Sequence, residues 1–210
     1  MKSIIAKKVG MTNVFDANGA AIPVTVLQAG PCVVTQVKKA DKDGYEAVQL
    51  GFGDAKKQPK SRAGHLKVSK ANSNHLKEYR NFEEEIKVGD MIDVSGFNEG
   101  DIVTVRANSK GKGFAGTIKR HNFSQGPKTH GSRNYRRPGS IGAGYPQHVF
   151  AGQKMAGRMG NVQTTVKNLP IMKIDKDSNL IAVKGAVPGP KRGIVSVEVI
   201  KQANSEGADE

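Results

Sequence analysis

The chain has 210 residues, a net charge of +14, 37% apolar residues, no Trp and a single Cys. That length fits one large domain or two small ones, and the lone Cys32 excludes an internal disulfide and a cysteine-built metal cluster, which points to a reducing compartment. No stretch approaches the ~18 consecutive apolar residues of a membrane span. The opening MKSIIAKKVGMT also lacks the apolar run and cleavage site of a secretory leader, so a soluble cytoplasmic protein is expected.

Ser3–Ala6 and Val14–Phe15 read as short apolar strands around a Gly10-Met11-Thr12 turn, and Ala17-Asn18-Gly19 reads as a hairpin turn. Ile22–Leu27, Cys32–Val37 and Ala47–Phe52 are Val-rich strand candidates, separated by Ala29-Gly30-Pro31 and by Asp41–Gly44. Short strands at roughly ten-residue spacing predict an all-β barrel or sandwich. Ala55–Ala71, with its Lys, Gly and Pro, breaks the pattern. A short helix is expected after it, capped by Asn72 or Ser73, with Leu76 and Tyr79 on one face. Ile86–Val94 and Ile102–Arg106 resume as strands. Beyond a long basic stretch, Val162–Val166, Ile171–Ile174, Leu180–Val183 and Ile194–Ile200 read as strands again. The last ten residues, KQANSEGADE, read as a disordered tail over 201–210. The expected architecture is mainly β: one barrel-like domain over 1–200, with insertions at about 55–80 (basic, part helical) and about 108–160.

Charge is placed rather than spread. Residues 102–174 hold 13 Lys/Arg and no acid, although the chain has 19 acids in all. Ala55–Arg80 holds eight Lys/Arg against Glu78 alone. The remainder is mildly acidic, with twelve Lys/Arg against eighteen acids. Exclusion of negative charge over so long a run points to a polyanion as partner. Asn108–Gly160 also carries eleven Gly and few large apolar residues, so it cannot pack a core of its own and is expected to be mobile until bound.

Chemical motifs within this stretch fail on their requirements. Gly111-Lys112-Gly113-Phe114-Ala115-Gly116 matches G-x-G-x-x-G. A dinucleotide site also needs a βαβ unit and an acid about 20 residues later, whereas the next acid is Asp175. The glycines suit close approach to phosphates, with Lys110 and Lys112 neutralising them. Gly126-Pro127-Lys128-Thr129 lacks the glycine spacing of a Walker loop. His121, His130 and His148 have no cysteine or carboxylate beside them, so no metal site is expected. Ser132 and Ser140 near His130 have no local acid to orient a base. Arg133-Asn134-Tyr135-Arg136-Arg137-Pro138-Gly139 is the densest cluster; Arg forks suit phosphates and Tyr offers a stacking face. Lys154, Met155, Arg158 and Met159 alternate at four-residue spacing along a possible helical turn that Gly157 and Gly160 weaken.

Six segments carry a resemblance. They are Lys8–Thr12, Gly44–Gln49, Ser109–Phe114, Arg136–Gly142, Met155–Gly160 and Val183–Gly189. In order and spacing, from near the start to about residue 200, the chain resembles the bacterial large-subunit ribosomal protein L-three family. The resemblance implies a small translation-factor-like β-barrel body and a long extended basic loop that enters the large-subunit ribosomal RNA. That loop would end near the peptidyl-transferase centre, with Gly142, Ala143, Gly144, Tyr145, Pro146 and Gln147 at its tip. It further implies early binding of that RNA, a role in nucleating its folding, and contacts with neighbouring large-subunit proteins. It implies no catalytic residue.

The RNA-binding residues expected in the long insertion are Lys110, Lys112, Lys119, Arg120, Lys128, His130, Arg133, Tyr135, Arg136, Arg137, Lys154 and Arg158. A second contact is expected from Lys56, Lys57, Lys60 and Arg62, with Lys67 and Lys70 beyond them. No cofactor, small-molecule substrate or membrane partner is expected. Two other classes are compatible with a basic β protein: an RNA-modifying enzyme or translation factor on the same barrel, and a nonspecific DNA-packaging protein. The first needs a cofactor loop or an acid–base set, and neither appears in the sequence. The second does not require so many fixed Gly and Pro positions.

Overall fold

A computed structural model of the chain describes residues 2–80 and 86–202. Among the described residues the strands are β1 Ser3–Phe15, β2 Ala21–Ala29, β3 Cys32–Lys38, β4 Ala47–Asp54, β5 Ser73–Tyr79, β6 Met91–Ile92, β7 Ile102–Asn108, β8 Phe114–Ala115, β9 Gly157–Arg158, β10 Gln163–Asp175, β11 Leu180–Lys184 and β12 Ile194–Lys201. The helices are short: α1 Ala40–Asp43, α2 Lys60–Leu66 and α3 Thr117–His121. The fold is mainly β, as the strand spacing predicts.

The chain separates into two compact units, Met1–Asn108 with Gln163–Glu210, and Ser109–Val162. In the first, six antiparallel strands close a barrel in the order β1-β12-β7-β10-β11-β2. Period-two patterning sets the register. Val195, Val197 and Val199 lie opposite Ala107, Val105 and Val103, and all six are buried. On the other face of the same pair, Arg106 meets Glu198 at 3.1 Å. Burying each of the five valines is worth about 1.5–3 kcal/mol. A second sheet, β5-β4-β3-β6, shares the barrel's core through Val34, Leu50, Phe52 and Tyr79. The join is partly polar. Ser196 Oγ donates to Tyr79 Oη at 2.9 Å, and Tyr79 Oη donates to the Ile4 carbonyl at 3.3 Å. Burial pushes the Tyr79 phenol above its ordinary pKa and the Cys32 thiol up to about 12.

Several elements differ from the sequence reading. Gly10-Met11-Thr12 is not a turn; β1 runs through it, with an irregularity in pairing between Lys8 and Gly10. A bulge bends a strand and lets it continue in a new direction, so β1 serves β12 with Ser3–Lys7 and β2 with Ala6–Phe15. Val162–Val166 and Ile171–Ile174 likewise fall in or beside one strand, β10, broken in register between Val166 and Leu169. Asn168 occupies the left-handed region there at φ 58°, which Asn tolerates better than most residues. The helix expected near Leu76 and Tyr79 is strand β5, paired along β4, and the helix lies earlier, at Lys60–Leu66. Ile86–Val94 contributes only the two-residue β6 and the start of a 3-10 turn at Val94–Gly96. Asn18-Gly19 does turn as expected, with Gly19 at φ 79°. Of the tail expected at 201–210, Lys201 ends β12, and 203–210 lie outside the described residues.

Candidate nucleic-acid interface

The second unit, Ser109–Val162, begins and ends where the barrel pairs Asn108 with Gln163. Its base is a two-strand ribbon with Phe114 opposite Arg158 and Ala115 opposite Gly157. Lys112 N donates to the Met159 carbonyl and Met159 N to the Gly113 carbonyl, each at 2.9 Å. Gly160 has φ 72°, and a side chain there would run into the Lys110 carbonyl and meet Gly111 Cα at 3.1 Å. Only glycine allows the two backbones to lie so close.

Helix α3 continues from the ribbon and buries Thr117 beside the buried Ala115. Its last turn carries Lys119, Arg120 and His121, which complement the negative end of the helix. Arg120 Nη1 donates to the Met155 carbonyl at 2.8 Å, and His121 Nε2 lies 3.0 Å from the same oxygen. These two side chains clamp the chain just before it enters β9. Arg120, expected as a phosphate contact, thus spends part of its donor set on the unit's own base.

Between α3 and β9, residues 122–156 form no helix or strand. Local bonds shape the path. Gly126 N donates to the Tyr135 carbonyl at 3.0 Å, closing a loop that contains Lys128, His130 and Arg133. Ser140 Oγ donates to the Gly142 carbonyl at 2.9 Å at the start of the expected tip. His148 Nδ1 lies 3.1 Å from the Pro146 carbonyl, and its ring meets Phe150 edge-on at 5.8 Å. The four-residue alternation of Lys154, Met155, Arg158 and Met159 is not helical; Arg158 is in β9.

All twelve residues expected to bind RNA in this unit are exposed, from Lys110 through Arg158, and so is every residue from Gly142 to Gln147. The unit holds ten Lys/Arg and no acid, so no cation in it has a carboxylate partner within the unit. Such a surface keeps its positive field available to an outside anion. Tyr145 is 84% exposed and Phe114 81% exposed. The ribbon, α3 and the Arg120–His121 clamp are features that sequence reading missed. Two-residue strands joined over some forty residues leave no periodic signal.

In the first unit, Lys56, Lys57 and Lys60 are exposed at and before α2. Arg62 is half-buried and donates from Nη1 to the Asn74 carbonyl at 3.0 Å, tying the helix to β5. Lys67 and Lys70 are exposed beyond it. Among the described residues no cluster of His, Cys, Asp or Glu could hold a metal ion, and no helix is long and apolar enough to cross a membrane.

Fold and charge define the class: a mainly β protein whose barrel body carries a cationic insertion without a core. The chain belongs to the ribosomal protein L3 family, whose description matches residues 57–179. It is 50% identical over 203 residues to the large ribosomal subunit protein uL3 of Heliobacterium modesticaldum, spanning 94% of this chain and 96% of that protein. It is 54% identical over 200 residues to the uL3 of Halalkalibacterium halodurans, spanning 93% and 96%. A third relative, large ribosomal subunit protein uL3c of Guillardia theta, is 50% identical over 93% of this chain.

Proposed function

We propose that this chain is a structural constituent of the large ribosomal subunit that binds large-subunit ribosomal RNA directly through Ser109–Val162. It is not an enzyme: its family is one of ribosomal proteins. One observation carries the RNA-binding reading. Ten cations and no acid lie exposed on a glycine-rich unit without a core, on a chain whose remaining surface is far less basic. Lys and Arg displace counterions from phosphates, and bare backbone allows RNA segments to come close. The free unit meets an ordering cost that RNA contacts offset on binding.

Binding of the full chain to large-subunit ribosomal RNA should weaken steeply with salt. Replacing Arg133, Arg136 and Arg137 by Ala should lower the slope of log affinity against log salt by about two. A flat salt dependence would refute the neutralisation mechanism. Lys56, Lys57, Lys60 and Arg62 supply a second contact, which the same titration tests with those four replaced.

Within this reading the unit is an arm that nucleates folding of the RNA during assembly, reaches toward the peptidyl-transferase centre and presents Gly142–Gln147 there. Neighbouring large-subunit proteins touch the barrel. Support for the arm is the low charge and full exposure of those six residues, with basic flanks on both sides. Ribosomes carrying Gly144→Asp or Tyr145→Ala should change their sensitivity to drugs acting at that centre. Unchanged sensitivity in both would remove the tip from its neighbourhood.

A further inference from the structure

We infer that Phe114 is a base-stacking platform: an unpaired nucleobase of the bound RNA lies on its ring while Lys112 and Arg158 hold the adjoining phosphates. Phe114 is 81% exposed, more than Phe15 at 71% or Phe150 at 61%. Its neighbour Ala115 is 4% exposed, so the strand itself is anchored and only the ring is turned out. The ring stands on a paired ribbon rather than on an unpaired loop. The ribbon is bonded through Lys112 to Met159 and through Met159 to Gly113, at 2.9 Å each. The Arg120 guanidinium lies so close to Gly157, opposite Ala115, that a Cβ there would meet Nη1 at 2.5 Å. The base of the platform is thus held by the unit's own bonds.

The surroundings select the partner. Arg158 is the direct cross-strand partner of Phe114, and such partners share a face of the ribbon. Lys112 is exposed two residues earlier, at most about 7 Å away along the backbone. A ring flanked by two cations, in a unit with no acid, suits a ligand with a flat π-face and a negative charge next to it. A single-stranded nucleotide has both, and stacking of this kind tolerates any base. Duplex RNA hides its base faces and would find only the cations.

This inference rests on the RNA-binding reading above, and the test separates the two. The chain has no Trp and four Tyr, so Phe114→Trp gives the full-length protein a single Trp on the platform, excited selectively at wavelengths where Tyr does not absorb. The probes are single-stranded oligoadenylate and inorganic polyphosphate. Both should bind with strong salt dependence, and only oligoadenylate should quench the Trp. In parallel, Phe114→Leu should lower oligoadenylate affinity about 5- to 150-fold, leaving its salt slope and the binding of polyphosphate unchanged. Oligoadenylate that binds without quenching, quenching by polyphosphate as well, or unchanged affinity in Phe114→Leu would each overturn the platform and leave the phosphate reading intact. Failure of both probes to bind would overturn the two together.

Discussion

A methyl group at position 51 would meet Ser73 Cβ at 2.7 Å and Thr35 Cγ2 at 2.9 Å. Gly51 lies in the middle of β4, where β5 crosses beside it with Leu76 opposite. Its missing side chain is what lets Ser73 and Thr35 pack over this part of the sheet. Overpacking of this kind typically costs about 1–3 kcal/mol. Gly51→Ala should lower the denaturation midpoint accordingly, measured by urea unfolding; an unchanged midpoint would show that the sheet opens to admit the methyl group. Gly160 makes the opposite use of the same residue type, since it joins two backbones rather than two side-chain layers. Neither role is legible in the sequence, because a glycine's neighbours in space are set by strands far away along the chain. What composition does reveal is the number of glycines in the basic stretch, and from it the absence of a core there.

Strand β5 shows how one spacing serves two elements. Leu76 and Tyr79 are three apart, and Asn72-Ser73 precedes them like a cap, which together imitate an amphipathic helix. In the structure Tyr79 is buried while Leu76 is only half-buried, and β4 supplies partners from Ser73 to Tyr79. Tertiary pairing overrides a weak local preference. Strands β7 and β12 were legible because their alternating Val positions face a core on one side. The second sheet also carries a polar cluster. Lys38 Nζ donates to Tyr45 Oη at 2.5 Å and pairs with Glu78 at 2.8 Å, and Arg80 lies over the Tyr45 ring. The hydrogen bond from Lys38, and then that from Tyr45, hold the Glu78 carboxyl below its ordinary pKa. The bonds that Lys38 donates to Glu78, and then to Tyr45, hold its ammonium above its own ordinary value. A depressed carboxyl stabilises the fold fully above its unfolded value of about 4.3 and loses that contribution as pH falls through the folded value. A raised ammonium contributes below its unfolded value and loses it as pH rises through the folded one. Glu78→Gln should therefore flatten both limbs of the stability–pH curve slightly, the pair being partly exposed. Denaturant titrations across pH would show this, and an acid limb identical to the parent's would contradict it.

The whole molecule divides where its charge divides. The compact unit Ser109–Val162 falls within the acid-free run, and its boundaries lie within two residues of the basic insertion read from sequence. Charge exclusion is legible because each residue declares it independently, while the clamp of Arg120 and His121 on Met155 depends on how the chain returns. Asn108 and Gln163 are paired across neighbouring strands, the geometry that a tight turn can join. Replacing 109–162 with an Asn-Gly turn should leave a barrel that folds cooperatively, with binding to large-subunit RNA reduced by several orders of magnitude. Circular dichroism and a filter-binding titration check the two halves; loss of the barrel's melting transition would show that the units depend on each other.

Barrel closure has a consequence for the order of events during synthesis. The final strand, β12, sits between the first strand, β1, and β7, and makes both of those seams. A chain made from its N-terminus therefore completes the cationic unit before it has the residues that shut the body. Until Ile194–Lys201 arrives, β1 and β7 each present a bare edge, which is a template for pairing with other chains. Long-range closure of this kind is slow. Each new copy thus has its ten positive charges in place while its own body is still open, and loss of the last strand alone would leave a sticky, half-made barrel that still carries the basic unit.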